Sequence, residues 1–248
     1  MTYLLFSVCV ALATYMQNLT GFAFSLILLG LVGSLQLAPI ADAANAATVL
    51  TLVNAAVYFK RQPLTPQWRV MLPAMPSSLF GVLLGVWLLH WLSSNAVEGL
   101  RALLGVSIIA CALLLLRPGP PRTALSGPRA FAFVGGLSGV LGGLFSSAGP
   151  PLIFHMYRQP LERQVVQHCL LLMFACNALL RLLLVVGSGE FSVQALRLTV
   201  CAVPVVYLVN RLQQRFPSKL DRRTTQYLVA ALLLASGTLL LGSSLKFC

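Results

Sequence analysis

The chain has 248 residues, of which 58% are hydrophobic and 9% charged, and its mean hydropathy is +0.87. Soluble domains carry about 25% charged residues, so this composition excludes an ordinary soluble fold and predicts an all-α polytopic membrane protein. The 17 Lys and Arg against 5 Asp and Glu give a net charge of +12, but these basic residues sit in short loops between apolar runs. They therefore read as membrane-topology signals, not as a nucleic-acid surface.

Residues 1–37 are almost uncharged. As one helix they would extend about 55 Å, against a hydrocarbon core of about 30 Å, so a break is expected, and Gln17-Asn18-Leu19-Thr20-Gly21 is the polar candidate. The apolar N-terminus lacks a basic leader and runs straight into further apolar segments, so no cleaved signal peptide is expected. Apolar runs follow at 43–59, closed by Lys60-Arg61, at 70–92 with Pro73 and Pro76 inside, and at 99–116. Residues 117–129, RPGPPRTALSGPR, form a Pro/Gly-rich linker between an N-terminal repeat (1–116) and a C-terminal repeat (130–248). Residues 130–157 are apolar, but Gly135, Gly136, Gly139, Gly142, Gly143, Gly149, Pro150 and Pro151 make them a poor helix. Gly costs about 1 kcal/mol and Pro about 3 kcal/mol in a helix interior. Runs at 164–187, 192–210 and 224–245 complete eight segments, four on each side of the linker.

The halves resemble each other. TLVNAAVYF at 51–59 resembles FACNALLRL at 174–182, with Asn54 opposite Asn177; Pro76 and Pro204 occupy corresponding third segments. The break near Gly21 matches the one at Ser146 to Gly149. Charge tests the topology. If all eight segments cross once, 7 basic residues fall on one side and 8 on the other. If 130–157 instead turns back to the side it entered from, the split is 13 against 2, which the positive-inside rule prefers. If the first segment does likewise, each half is a hairpin followed by three crossings. The halves then have opposite orientations, as in the inverted-topology repeats of secondary transporters, and both termini lie outside.

The segments LTGFAFSLI at 19–27 and GLSGVLGGLFSSAGPPLIF at 136–154 are similar to the Gly-rich "TGFGxxLI" and "GxxSGxxGGxxGxGGPP" segments of the TauE/SafE family of sulfite exporters and related anion permeases. The four-plus-four layout and the Asn-bearing second segment of each half agree with it. Two departures stand out: Ala23 replaces a usual Gly, and Ser146-Ser147-Ala148 stands where more Gly is expected. The resemblance implies a secondary transporter or facilitator moving sulfite, an organosulfonate or a similar small sulfur-containing anion across the cell inner membrane.

In hydrocarbon every freed backbone group needs a new partner, so a broken helix belongs inside protein or beside a cavity. The break at Ser146 to Pro151 is expected to present free N–H groups, which attract anions at helix N-termini. Ser146, Ser147 and Gly149 belong to it; Gln17, Asn18, Thr20, Gly21 and Ser25 could serve from the first break. The alternative for any single Gly is close helix packing. Arg181, within LLLMFACNALLRLLLVV, either faces a cavity or snorkels to the interface. Asn54 and Asn177 either line the site or bond across helices, and His155 and His168 either titrate there or lie at an interface. Arg197 and Glu190 are expected to pair near the start of one segment.

All five carboxylates, Asp42, Glu98, Glu162, Glu190 and Asp221, fall in loops or at segment ends, which favours an anion over a cation as substrate. Coupling, if present, would use a proton at His155 or His168, a sodium ion on backbone carbonyls, or the membrane potential alone. The six cysteines show no CxxC spacing and read as small hydrophobes, with no metal site or cofactor expected. HExxH and GxSxG are absent, so an enzyme is not expected. The remaining rivals are a membrane scaffold that transports nothing and a carrier of another small anion.

Overall fold

A computed structural model describes residues 2–20, 23–60, 67–116, 122–147, 150–215 and 222–245, apart from a few side chains within them. The described residues form ten α-helices and no strand: α1 (Thr2–Thr20), α2 (Phe24–Ser34), α3 (Ile40–Phe59), α4 (Trp68–Asn95), α5 (Val97–Leu116), α6 (Pro128–Phe145), α7 (Pro150–Tyr157), α8 (Arg163–Gly187), α9 (Val193–Arg215) and α10 (Arg222–Leu245). Six of them, α3, α4, α5, α6, α8 and α9, are long and apolar enough to cross a bilayer. The eight apolar segments become ten helices because the first segment of each half is split, α1 from α2 and α6 from α7.

The first split follows Thr20, at the C-terminal edge of the expected Gln17 to Gly21 stretch; Gly21 itself lies outside the described residues. Gln17, Asn18 and Thr20 continue α1, and the helix resumes only at Phe24. A polar side chain does not stop a membrane helix when a neighbouring helix satisfies it, and Asn18 donates to Asn210 and Gln213 of α9. Among the described residues, Ala23 at the start of α2 is left-handed, with a φ of 77°. Ser146, which ends α6, is left-handed too, at φ 53°. Each such non-glycine residue costs roughly 1–2 kcal/mol, and both sit where the resemblance placed a departure from glycine.

Packing follows the small residues. α4 lies along α6 in parallel register, Ala74 beside Gly135, Ser78 beside Gly139 and Val82 beside Gly143. A Cβ on Gly135 would stand 2.5 Å from the Ala74 carbonyl oxygen, and one on Gly143 would stand 2.5 Å from that of Val82. These glycines let two backbones touch. α5 and α10 run antiparallel, Gly105 against Leu241 and Ile109 against Gly237. α3 and α8 also run antiparallel, since Ala44 and Thr48 meet Arg181 while Tyr58 meets His168.

Several packing partners exchange when each helix is replaced by the one five elements away. α4 on α6 corresponds to α9 on α1, α4 on α8 to α9 on α3, and α2 on α10 to α7 on α5. Beyond Leu116, residues 117–121 of the linker lie outside the described residues. Its remainder is tied to the end of α7: Arg122 N donates to Arg158 O (2.8 Å), and Ser126 N to Gln159 Oε1 (2.9 Å).

Candidate anion site at the two helix breaks

The two breaks meet. Ser25, in the first turn of α2, donates through Oγ to the carbonyl oxygen of Ser146 at 2.8 Å. Ser146 Oγ lies 3.0 Å from Thr48 Oγ1 of α3. Thr48 Oγ1 is also 2.8 Å from Ala44 O and accepts from Arg181 Nη1 at 2.5 Å. Arg181 Nη1 donates again to Ala44 O at 3.3 Å, and Nε donates to Gly143 O, near the end of α6, at 2.8 Å. One guanidinium from α8 thus clasps α3 and the last turn of α6, directly beside both breaks.

Arg181 is 1% exposed and is the largest fully buried side chain among the described residues. It does not snorkel: its nitrogens turn inward to Gly143, Ala44 and Thr48. Each of these partners is a neutral oxygen. Nη2 is buried and has no hydrogen-bond partner among the described residues. A buried cation whose direct partners are all neutral is costly, and one guanidinium donor of this cluster is unused among the described residues. The α2 N-terminus adds to this, because first-turn N–H groups have no acceptor within their own helix. The second break adds less than its position suggests, since Pro150 and Pro151 open α7 and proline carries no N–H.

The other candidates lie elsewhere. Asn54 Oδ1 accepts from Asn210 Nδ2 of α9 (2.8 Å), and Asn177 Nδ2 donates to Ser78 Oγ of α4 (2.6 Å). Both asparagines join their helices to equivalent neighbours, outside the Arg181 cluster. Asn18 Nδ2 donates to Asn210 Oδ1 at 2.5 Å and to Gln213 Oε1 at 3.0 Å, closing a chain of amides across α1, α9 and α3. Gln17 is buried, with Oε1 unpartnered among the described residues. His155 packs edge-on against Phe131 at 4.8 Å and is buried away from the cluster. Ser147 follows Ser146 and is half-buried. Gly21, Gly149 and the Thr20 side chain lie outside the described residues.

Glu190 does not pair with Arg197; its carboxylate meets His90 Nδ1 at 2.8 Å, because the end of α4 reaches the α8–α9 turn. No group of His, Cys, Asp and Glu among the described residues could hold a metal ion. Sequence reasoning missed Thr48 and the carbonyls of Ala44 and Gly143. A signal for Thr48 existed: Asn45, Thr48, Thr51 and Asn54 place a polar residue at every third position of α3.

Residues 6–240 match the family model described as sulfite exporter TauE/SafE. The chain belongs to the TauE/SafE family. It is similar to the probable sulfite/organosulfonate exporter TauE of Cupriavidus necator, 33% identical over 228 residues that span 92% of this chain and 89% of the relative. No solved structure matches it. Membership makes this TauE/SafE protein a multi-pass membrane transporter, not an enzyme, and sets aside the scaffold reading.

Proposed function

We propose that this TauE/SafE protein exports sulfite or an organosulfonate through a site between its two helix breaks, with Arg181 as the positive group that meets the anion. The observation that carries this reading is the buried guanidinium, bonded only to neutral oxygens and with Nη2 free among the described residues. Ser25 and Ser146, one from each break, stand on the same cluster, so an anion held there touches both halves of the chain. The likeness to the probable sulfite/organosulfonate exporter of Cupriavidus necator supports the substrate class. An inside-negative potential by itself favours anion exit, by about 2.3 kcal/mol per charge per 100 mV; a proton or sodium ion would add to that drive.

The chain is further read as two inverted repeats, 1–116 and 130–248. The antiparallel pairs α5–α10 and α3–α8 support this, because a two-fold axis in the membrane plane reverses each helix it relates to its mate. In this arrangement the loops at 158–163 and 211–223 share the cytoplasmic side, and a cysteine-accessibility scan placing them on opposite sides contradicts it.

Arg181→Gln tests the site. It keeps a donor at the Nε position for Gly143 but removes the charge and the Nη1 donor to Thr48 and Ala44, so sulfite flux in proteoliposomes is expected to fall to background while the protein stays folded. Unchanged flux refutes the reading.

A further inference from the structure

We infer that the transported species is a monoanion, either hydrogensulfite or the singly charged head of a sulfonate, and that the sulfite dianion and sulfate are excluded. This rests on the reading of the Arg181 cluster as the substrate site and concerns the charge that site can match.

The argument is a charge count. Arg181 contributes one positive charge, and its hydrogen-bond partners contribute none: Gly143 O, Ala44 O and the Thr48 hydroxyl. Ser146 and Ser25 extend the cluster with neutral hydroxyls only. The positive field is weakened further, because Gly143 O belongs to the last turn of α6, where the helix dipole is negative. Glu190 lies within electrostatic reach of Arg181 and has the sign that opposes an anion. A single negative charge is therefore already a full match. A second would be buried without a counter-charge, and such burial is heavily penalised.

Hydrogen-bond capacity agrees. Nε and Nη1 are committed to the protein, so only Nη2 of the fork faces the ligand. The two-nitrogen grip with which Arg holds carboxylate or phosphate groups is not free, so the added charge of a dianion would meet no added donors from Arg181. The hydroxyls are also limited. Thr48 has one proton and two acceptors in reach, Ala44 O at 2.8 Å and Ser146 Oγ at 3.0 Å. When Thr48 donates to Ser146, the Ser146 proton is released to the ligand; when it donates to Ala44, Ser146 donates to Thr48 and offers the ligand a lone pair. The second arrangement accepts a hydrogen bond, which hydrogensulfite can supply and the sulfite dianion cannot.

Most titratable groups of the enclosing helices stand at helix ends or meet partners outside the cluster. On α3, Asp42 accepts from Ser192, and Tyr58 packs against His168. On α4, Arg69 stands at the start of the helix and His90 near its end, paired with Glu190. On α6, Arg129 lies in the first turn, and on α7, His155 packs against Phe131. On α8, His168 is 13 residues from Arg181, about 20 Å along the helix, and Cys169 accepts from Gln67 N; Cys176 is half-buried. α2 has no titratable side chain. Among the described residues, the one titratable pair that reaches Arg181 electrostatically is Glu190 with His90, and methanesulfonate, whose charge does not change with pH, separates its effect from that of the substrate.

The test uses the unmodified protein in proteoliposomes, with equal pH on both sides and the potential clamped at zero. Sulfite flux at fixed total sulfite is expected to fall with rising pH in proportion to the hydrogensulfite fraction, while methanesulfonate flux stays level. Sulfate should compete at least about tenfold more weakly than methanesulfonate. Sulfite flux that is level or rises with pH overturns the inference, as does sulfate competing as well as methanesulfonate. Arg181→Gln separates the two claims. If it abolishes flux while sulfate still competes fully in the unmodified protein, the site stands and the monoanion claim falls; if it leaves flux unchanged, the site itself falls.

Discussion

Two seams of this molecule occupy corresponding places and are built from different chemistry. α4 meets α6 backbone to backbone: Gly81 and Gly85 on one helix lie against Gly136, Gly139, Val140 and Gly143 on the other. α1 meets α9 through side-chain amides: Asn18, Asn210 and Gln213, with Gln213 Nε2 also reaching Tyr15 O at 3.4 Å. The first seam gains its stability from contact area that any displacement forfeits. The second rests on donors and acceptors that can exchange partners. The rigid seam is also the one that positions the candidate site, because Gly143 lies against Val82 and Gly85 on one side and gives its carbonyl to Arg181 on the other.

The largest expected effect comes from the glycine seam. A Cβ on Gly139 would collide with the backbone carbonyl of Ser78. Gly139→Val should therefore cost about 3 kcal/mol, the upper end for overpacking, and reduce the folded yield in detergent sharply. A normal melting temperature would show that the seam is looser than described. On the amide seam, Asn210→Ala removes both the bond from Asn18 and the bond to Asn54. The expected loss is about 1–2 kcal/mol, since interhelical polar bonds in membranes are modest. Thermal unfolding should rank it clearly below Gly139→Val, and the reverse order would break the contrast.

The smallest effect has the opposite sign. Ala23 is buried and left-handed at φ 77°. Ala23→Gly relieves that strain at some cost in unfolded-state entropy, so a net gain of about 1 kcal/mol is expected. A lower melting temperature for that variant would argue against the left-handed turn between α1 and α2.

Much of this layout is legible in the chain itself. Apolar runs bounded by charge located the spans, and the glycines and prolines of 135–151 located the second break, because both depend on local chemistry. The expected first break reaches the split only at its C-terminal edge: Gln17 and Asn18 look like helix breakers until the α9 amides that satisfy Asn18 are known. The same holds for Thr48, whose partners Ser146 and Arg181 are 98 and 133 residues away. Asn54 and Asn177 could be matched as equivalents, but not assigned Asn210 and Ser78. The donor poverty of the second break was there to be read, since Pro150 and Pro151 have no N–H whatever the fold.

The most direct test is a structure determined with 2-bromoethanesulfonate, located by the anomalous signal of bromine. The sulfonate is expected within hydrogen-bond reach of Arg181 Nη2 and Ser146 Oγ, with Nε still on Gly143. A sulfonate bound elsewhere, with Arg181 Nη2 satisfied by a protein group, would contradict the account.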